Sequence, residues 1–186
     1  MDRKKVNMTP FYILVSIICI WGMINSPRHP GTYHFTKITL PGEYIIYEDH
    51  RIPPGEITSM IVDDGKIFLY YDNYAIVNVY TTEGDFQYGI QVYTLKNGRG
   101  DFSYIDQKLY IFSKASIVYV IDGMDVVKIV DFASERVRYK NYEEKYRTGE
   151  KNTVYEGVTY RLLKEQDQVA KQDSNGNTHI VLDLTQ

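Results

Sequence analysis

The most constraining feature of this sequence is a repeated order of short apolar runs and turn residues. Residues 66–70 read KIFLY and residues 108–112 read KLYIF, at an offset of 42. Residues 76–79 (IVNV) and 117–120 (IVYV) correspond at an offset of 41. The difference is one residue deleted in a loop, where deletions are tolerated. A repeat of this length indicates structural units that bury their apolar faces by stacking on one another.

The runs within each unit are typical of β-strands. They are rich in β-branched and aromatic residues, which favour strands, and 18 of the 186 residues are Tyr. Glycine, Asn and Asp separate them, as in hairpin turns. We expect strands at 57–62, 66–71, 74–80, 86–92, 102–105, 108–113, 116–121 and 126–132. Stacking is expected to bury Ile67, Leu69, Val77, Val79, Leu109, Ile111, Val118 and Val120.

The order of strand, Asp/Gly turn, strand, strand and Gly at residues 64–84 and 106–123 resembles β-propeller repeats, loosely of the NHL or six-bladed type. Four strands in about 40–45 residues is the length of a propeller blade. The resemblance implies an all-β body, a small or incomplete propeller-like array of three to four antiparallel four-stranded sheets. Residues 35–48 offer two strands that could complete a fourth sheet with the carboxyl-terminal strands. Otherwise the body is an open stack of three sheets with exposed edges.

The amino terminus predicts membrane attachment. Residues 1–10 hold three basic side chains and one acidic one, and the apolar run Phe11–Ile24 is 14 residues long. Cleavage after Ser26 would place Ile24 where signal peptidase needs a small residue. We therefore expect an uncleaved signal-anchor, one transmembrane helix, with a cytoplasmic amino terminus and the body outside. Secretion after cleavage is the alternative.

These features divide the chain into a cytoplasmic lead and anchor (1–26), a tether (27–34) and an extracytoplasmic domain (35–186). The units of the domain are expected at about 57–92, 100–132 and 153–184. Between the last two lies an insertion, residues 133–152, in which ten of twenty residues are charged. A solvated insertion is the favoured interpretation. The alternative is a partner-binding arm on one face of a short helix, formed by Tyr139, Tyr142, Tyr146, Arg136 and Arg138.

Composition excludes several classes of function. A formal net charge of -3 argues against nucleic-acid binding. The single Cys excludes an intramolecular disulfide and a Cys-based zinc cluster, and the four His show no metal-binding spacing. Asp173–Asn177 fits a hairpin turn better than a calcium loop. The sequence predicts no catalytic residues, cofactor or metal.

The favoured function is therefore a membrane-anchored extracytoplasmic binding or scaffold module without catalysis. Its expected partners are the membrane, through the amino-terminal helix, and a protein or a second copy at exposed sheet edges. A glycan- or small-molecule-binding sensor is the alternative, because the chain is rich in aromatic residues. A third possibility is an enzyme whose acidic residues converge at one face of the array.

Overall fold

Thirteen strands, all paired antiparallel, form three sheets in the part of the chain that the structure describes. A computed structural model describes residues 38–53, 55–95, 100–146, 152–163 and 167–185. The predicted anchor, residues 11–24, lies outside these ranges. Within them, no helix is long and apolar enough to cross a membrane.

Each sheet is a meander of consecutive strands, with one addition in sheet 1. Sheet 1 contains β1 (Tyr44–Tyr47), β2 (Ile57–Asp63), β3 (Lys66–Tyr71), β4 (Ile76–Thr81) and β5 (Phe86–Val92). Sheet 2 contains β6 (Asp101–Ile105), β7 (Lys108–Ser113), β8 (Ile117–Asp122) and β9 (Asp125–Asp131). Sheet 3 contains β10 (Asn152–Tyr155), β11 (Val158–Leu163), β12 (Gln168–Gln172) and β13 (Thr178–Asp183). One helix, α1 (Arg136–Tyr146), lies between the last two sheets in the chain.

The predicted strands of the first two units are confirmed, and β3 pairs with β4 along its whole length. The largest shift is in β4, which begins at Ile76 instead of residue 74. A single 3-10 turn, Asp72–Tyr74, and a left-handed Ala75 (φ 48°) precede it. The turn occupies the residues that were expected to start the strand.

The expectation that residues 35–48 contribute to a fourth sheet is wrong for the described residues. Only β1 forms there, and it pairs with β5, from Tyr44 opposite Val92 to Tyr47 opposite Gly89. Sheet 1 therefore has five strands instead of four. The three sheets do not close into a ring within the described part of the chain.

The repeat is visible in the backbone of all three sheets. Ala75, Ser116 and Asp167 each have positive φ just before the third strand of the meander. The carbonyl of each accepts a hydrogen bond from the last residue of the fourth strand or from the residue that follows it. The donors are the N–H groups of Val92 (3.1 Å), Phe132 (2.9 Å) and Leu184 (3.0 Å). Each bond spans 16 or 17 residues and closes the last two strands of its meander.

Sheet 1 is the central layer, and its two faces pack against different sheets. Alternate residues of a strand point to opposite faces. Ile67 and Leu69 pack with sheet 3, against Tyr160 and Leu182 among others. Phe68 packs with sheet 2. No residue of β3 is exposed, as expected for a strand covered on both sides.

The spatial order of the layers differs from their order in the chain. Sheet 3 is last in sequence but packs on the first sheet, and the first strands β6 and β10 both contact β2. The far face of sheet 2 is covered by α1, through Tyr139 packed with Val118 and Val120. The layers therefore run sheet 3, sheet 1, sheet 2, α1.

A substitution at Val118 tests whether α1 covers this face of sheet 2. We expect Val118→Asp to lower the free energy of unfolding by about 3 kcal/mol or more, because it buries a charge without a partner. Val118 is fully buried beneath α1. The measurement is chemical denaturation of the full-length chain.

The matched control is Val137→Asp on α1 itself, where the native side chain is 75% exposed. Its effect should stay within about 0.5 kcal/mol. Equal effects of the two substitutions would contradict the packing of α1 on sheet 2.

Candidate functional site

Helix α1 carries all five residues of the predicted partner-binding arm, and at least two of its tyrosines face the protein. Tyr139 is 8% exposed, and its hydroxyl donates to the carbonyl of Ser113 at 2.7 Å. The half-buried Tyr142 lies with its ring 5.6 Å from that of Phe132 and 6.3 Å from that of Phe112. These tyrosines hold the helix on sheet 2.

Arg138 is the described basic residue of the predicted arm. Its guanidinium lies 5.9 Å from the centre of the Phe132 ring and 2.9 Å from Oε2 of Glu135. The side chains of Arg136 and Tyr146 lie outside the described part of the structure. The structure thus brings Tyr139, Tyr142 and Arg138 together around Phe132, and a partner-binding role of this arm stays a prediction.

Acidic side chains of sheets 1 and 2 meet below α1, in an arrangement that the repeat pattern gave no means to predict. Lys114 Nζ lies 3.4 Å from Oδ1 of Asp72, and the two side chains are only 9% and 17% exposed. The same Oδ1 accepts the N–H of Gly100 at 2.8 Å. The buried Asp101 accepts the N–H of Phe102 at 2.8 Å. The ion pair between Lys114 and Asp72 joins sheet 2 to sheet 1. Breaking it is costly, because removing one partner of a buried ion pair leaves an uncompensated charge.

The hydroxyl of Tyr70 is enclosed by this cluster. It is buried without a hydrogen-bond partner among the described residues. Burial, followed by the negative charges of Asp72 and Asp101, raises the pKa of Tyr70 well above its ordinary value. A Cβ on Gly100 would lie 2.0 Å from the hydroxyl oxygen, so only glycine fits there. Tyr70 therefore remains neutral and packed.

A second polar network lies on the opposite face of sheet 1. The hydroxyl of Tyr47 donates to Oδ1 of the fully buried Asn78. Asn78 Nδ2 donates to the carbonyl of Arg51 at 2.7 Å and to the hydroxyl of Tyr80 at 3.2 Å. Nε2 of His50 is also 3.2 Å from that hydroxyl. The network anchors the segment after β1 to β4.

Burial sets the protonation of this second network. It raises the pKa of Tyr80 to about 12 and lowers the pKa of the His50 imidazole. Both groups are therefore neutral near pH 7. The sequence signal for the network is Asn78, a polar residue within the apolar run 76–80.

The outer edges of the sheets differ in whether a further strand covers them. In sheet 1 the fourth strand of the meander, β5, is covered by β1. The equivalent strands β9 and β13 are the last strands of their sheets in the described part of the chain. β9 exposes 54% of Val127 and 41% of Ile129, and β13 exposes 49% of Ile180. Among the described residues, these are apolar edge strands with unpaired backbone groups on one side.

A β-bulge marks the fourth strand of every sheet. The extra residue is Gln87 in β5, Val127 in β9 and Val181 in β13. In sheet 1 the bulge lies outside the stretch 89–92 that pairs with β1. Beyond its own bulge, β9 likewise offers residues 129–131 in regular pairing with β8. A bulge therefore does not prevent strand addition at this edge.

Residues Asp173–Asn177 form a local turn. The carboxylate of Asp173 accepts a hydrogen bond from Nδ2 of Asn177 at 3.0 Å and from the N–H groups of Asn177 and Asn175, both at 2.9 Å. The bond from the Asn177 side chain, and then the backbone bonds, hold the pKa of Asp173 below its ordinary value. The predicted hairpin turn is therefore present. In the described ranges no group of three His, Cys, Asp or Glu side chains is placed to hold a metal ion.

Comparison with known proteins gives this chain no family. No protein-family description matches it, and no curated protein is significantly similar to it.

A substitution at Gly89 tests how β1 is held on sheet 1. A Cβ at this position would lie 2.1 Å from Cζ of Tyr47. We expect Gly89→Ala to cost about 1–3 kcal/mol of unfolding free energy, as overpacking does. The measurement is chemical denaturation of the full-length chain.

The control is a double-mutant cycle with Tyr47→Ala, which removes the ring that the new methyl group would strike. Gly89→Ala should cost clearly less in that background. An unchanged cost would contradict the close packing of Tyr47 on Gly89.

Proposed function

We propose that this chain is a membrane-anchored binding module that holds a protein partner at the open edge of sheet 2. The observation that carries the proposal is the contrast between two equivalent strands. β5 is covered by the added strand β1, whereas no strand in the described part of the chain covers β9, which exposes apolar side chains. The same fold therefore contains an example of the interaction that we propose for the partner.

The chemistry of β9 restricts the partner segment. By the pairing of the meander, Ile129 of β9 corresponds to Gly89 of β5. Gly89 makes room for the ring of Tyr47, and an isoleucine at the same place does not. The partner strand should therefore carry a small residue opposite Ile129. A basic or hydroxyl-bearing residue is favoured opposite the exposed Asp131.

Strand addition suits an unspecialised contact between proteins. Main-chain hydrogen bonds along an edge strand provide affinity, while alternate side chains provide specificity.

Lys128 lies in the middle of β9, and a central lysine discourages uncontrolled pairing between edges. Antiparallel self-pairing centred on Lys128 would place two lysines opposite each other. This charge favours a different protein over a second copy in that register.

The edge is tested by site-specific photo-crosslinking in intact membranes. A photoreactive residue at position 129 should give protein adducts, and a reactive residue at position 137 on α1 should not. Ile129→Lys, with the photoreactive residue moved to position 127, should reduce the adduct severalfold, because a charge opposes strand pairing.

Peptide mapping of the adduct decides its interpretation. Strand addition is supported if the adduct maps to an extended apolar segment of the partner, at the residues that would pair with the backbone of β9. Equal labelling at positions 129 and 137, or adducts that Ile129→Lys leaves unchanged, would contradict it.

The membrane part of the proposal rests on the basic lead and the run Phe11–Ile24. We expect the full-length chain to remain in membranes through high-salt and carbonate washing. Its carboxyl terminus should be accessible to protease from the outside. A soluble product that begins near Pro27 would instead indicate a cleaved signal peptide.

A further inference from the structure

A cleft opens between the hairpin ends of sheets 1 and 2. Its volume is about 150 Å³, room for about five water molecules. Both sheets contribute to it, so it exists only when they are stacked. Its polar and aromatic lining consists of Asp64, Lys66, Tyr88, Tyr104, Gln107 and Asp122.

The cleft has an apolar floor and aromatic walls. Leu109 and Ile121, both buried, form part of the floor. Tyr88 and Tyr104 are half-buried side chains of opposite sheets. The ring of Tyr104 lies 4.5 Å from that of Phe68, which fixes its orientation. An aromatic body with a polar tip suits a ligand that has both apolar and hydroxyl-bearing surfaces.

Asp64 is held in place at the mouth of the cleft. Its Oδ2 accepts hydrogen bonds from Lys66 Nζ at 3.0 Å and from the Tyr104 hydroxyl at 3.2 Å. The hydrogen bond from Lys66, and then its charge, hold the pKa of Asp64 below the ordinary value. No hydrogen bond from a described residue reaches Oδ1. The ionised carboxylate is thus oriented with one oxygen available.

The polar groups of the cleft are of mixed kind. Carboxylates only accept hydrogen bonds, an ammonium group only donates them, and the Gln107 amide does both. Asp64 and Asp122 disfavour an anion, and Lys66 disfavours a cation. A hydroxyl group both donates and accepts, so neighbouring hydroxyls on a neutral molecule match this lining.

We propose that the cleft binds one ring of a neutral carbohydrate. The ring's C–H face would lie on a tyrosine and its hydroxyls would contact Asp64, Gln107 and Asp122. Pockets for larger organic ligands measure roughly 300–1,000 Å³, so this cleft accepts a single ring and not an extended chain. The proposal does not depend on partner binding at β9, since the two surfaces share no residue.

The test is a titration of the full-length chain, in a detergent without a sugar headgroup, followed by NMR. The probes are the methyl glycosides of glucose, galactose, mannose and N-acetylglucosamine. At least one should give saturable shifts of the Tyr88 and Tyr104 ring signals, with a dissociation constant on the order of 1–10 mM. Methylammonium and acetate should give none.

Conservative variants locate the site. Tyr104→Phe keeps the ring and removes one of the two hydrogen bonds that orient Asp64, and Asp64→Asn removes the charge. Each should weaken binding about tenfold, the effect of one lost hydrogen bond to a charged group. Asp85→Asn, at an exposed turn of the same sheet, should leave the dissociation constant unchanged.

Three results would overturn the proposal. These are the absence of saturation with all four glycosides, equal binding of methylammonium, and a dissociation constant that Asp64→Asn and Tyr88→Ala leave unchanged. Circular dichroism of each variant verifies the fold. If Asp64→Asn disturbs it, Tyr88→Ala supplies the same test, since it removes a wall of the cleft.

Discussion

The whole structure depends on burying both faces of sheet 1. β3 alternates between two cores, with Leu69 on one side and Phe68 on the other, and both are fully buried. A single sheet has no means to cover two apolar faces, so it requires a neighbour on each side. Sheets 2 and 3 fulfil that requirement. The cleft and the Lys114–Asp72 ion pair are consequences of where sheet 2 sits.

The strands could be predicted from the sequence because each depends on local information. The short apolar runs such as residues 66–71, the turn glycines and the offset between the units specify the meander without knowledge of tertiary contacts. The burial of Val77 and Val118 follows from their places in such runs. The local rule fails at Ala75, where a left-handed backbone is imposed on a residue that does not favour it.

The arrangement of the sheets and the candidate sites were not predictable in the same way. Which sheet packs on which depends on the complementarity of whole faces, which the order of the units along the chain does not specify. Tyr139 covers the face of sheet 2 that would otherwise need another sheet. Asp64 and Tyr104 are forty residues apart, and only the stacking brings them within 3.2 Å. Spacing within one segment carries no information about such pairs.

The packing of the last sheet on the first also governs how the chain matures. During synthesis, sheets 1 and 2 are complete before sheet 3 has emerged, so Ile67 and Leu69 face water until Tyr160 and Leu182 arrive. A chain interrupted before residue 152 would present a continuous apolar surface of this kind, the hallmark by which folding factors and proteases recognise unfinished proteins. Completion of the carboxyl-terminal sheet thus removes the apolar surface of Ile67 and Leu69 from water.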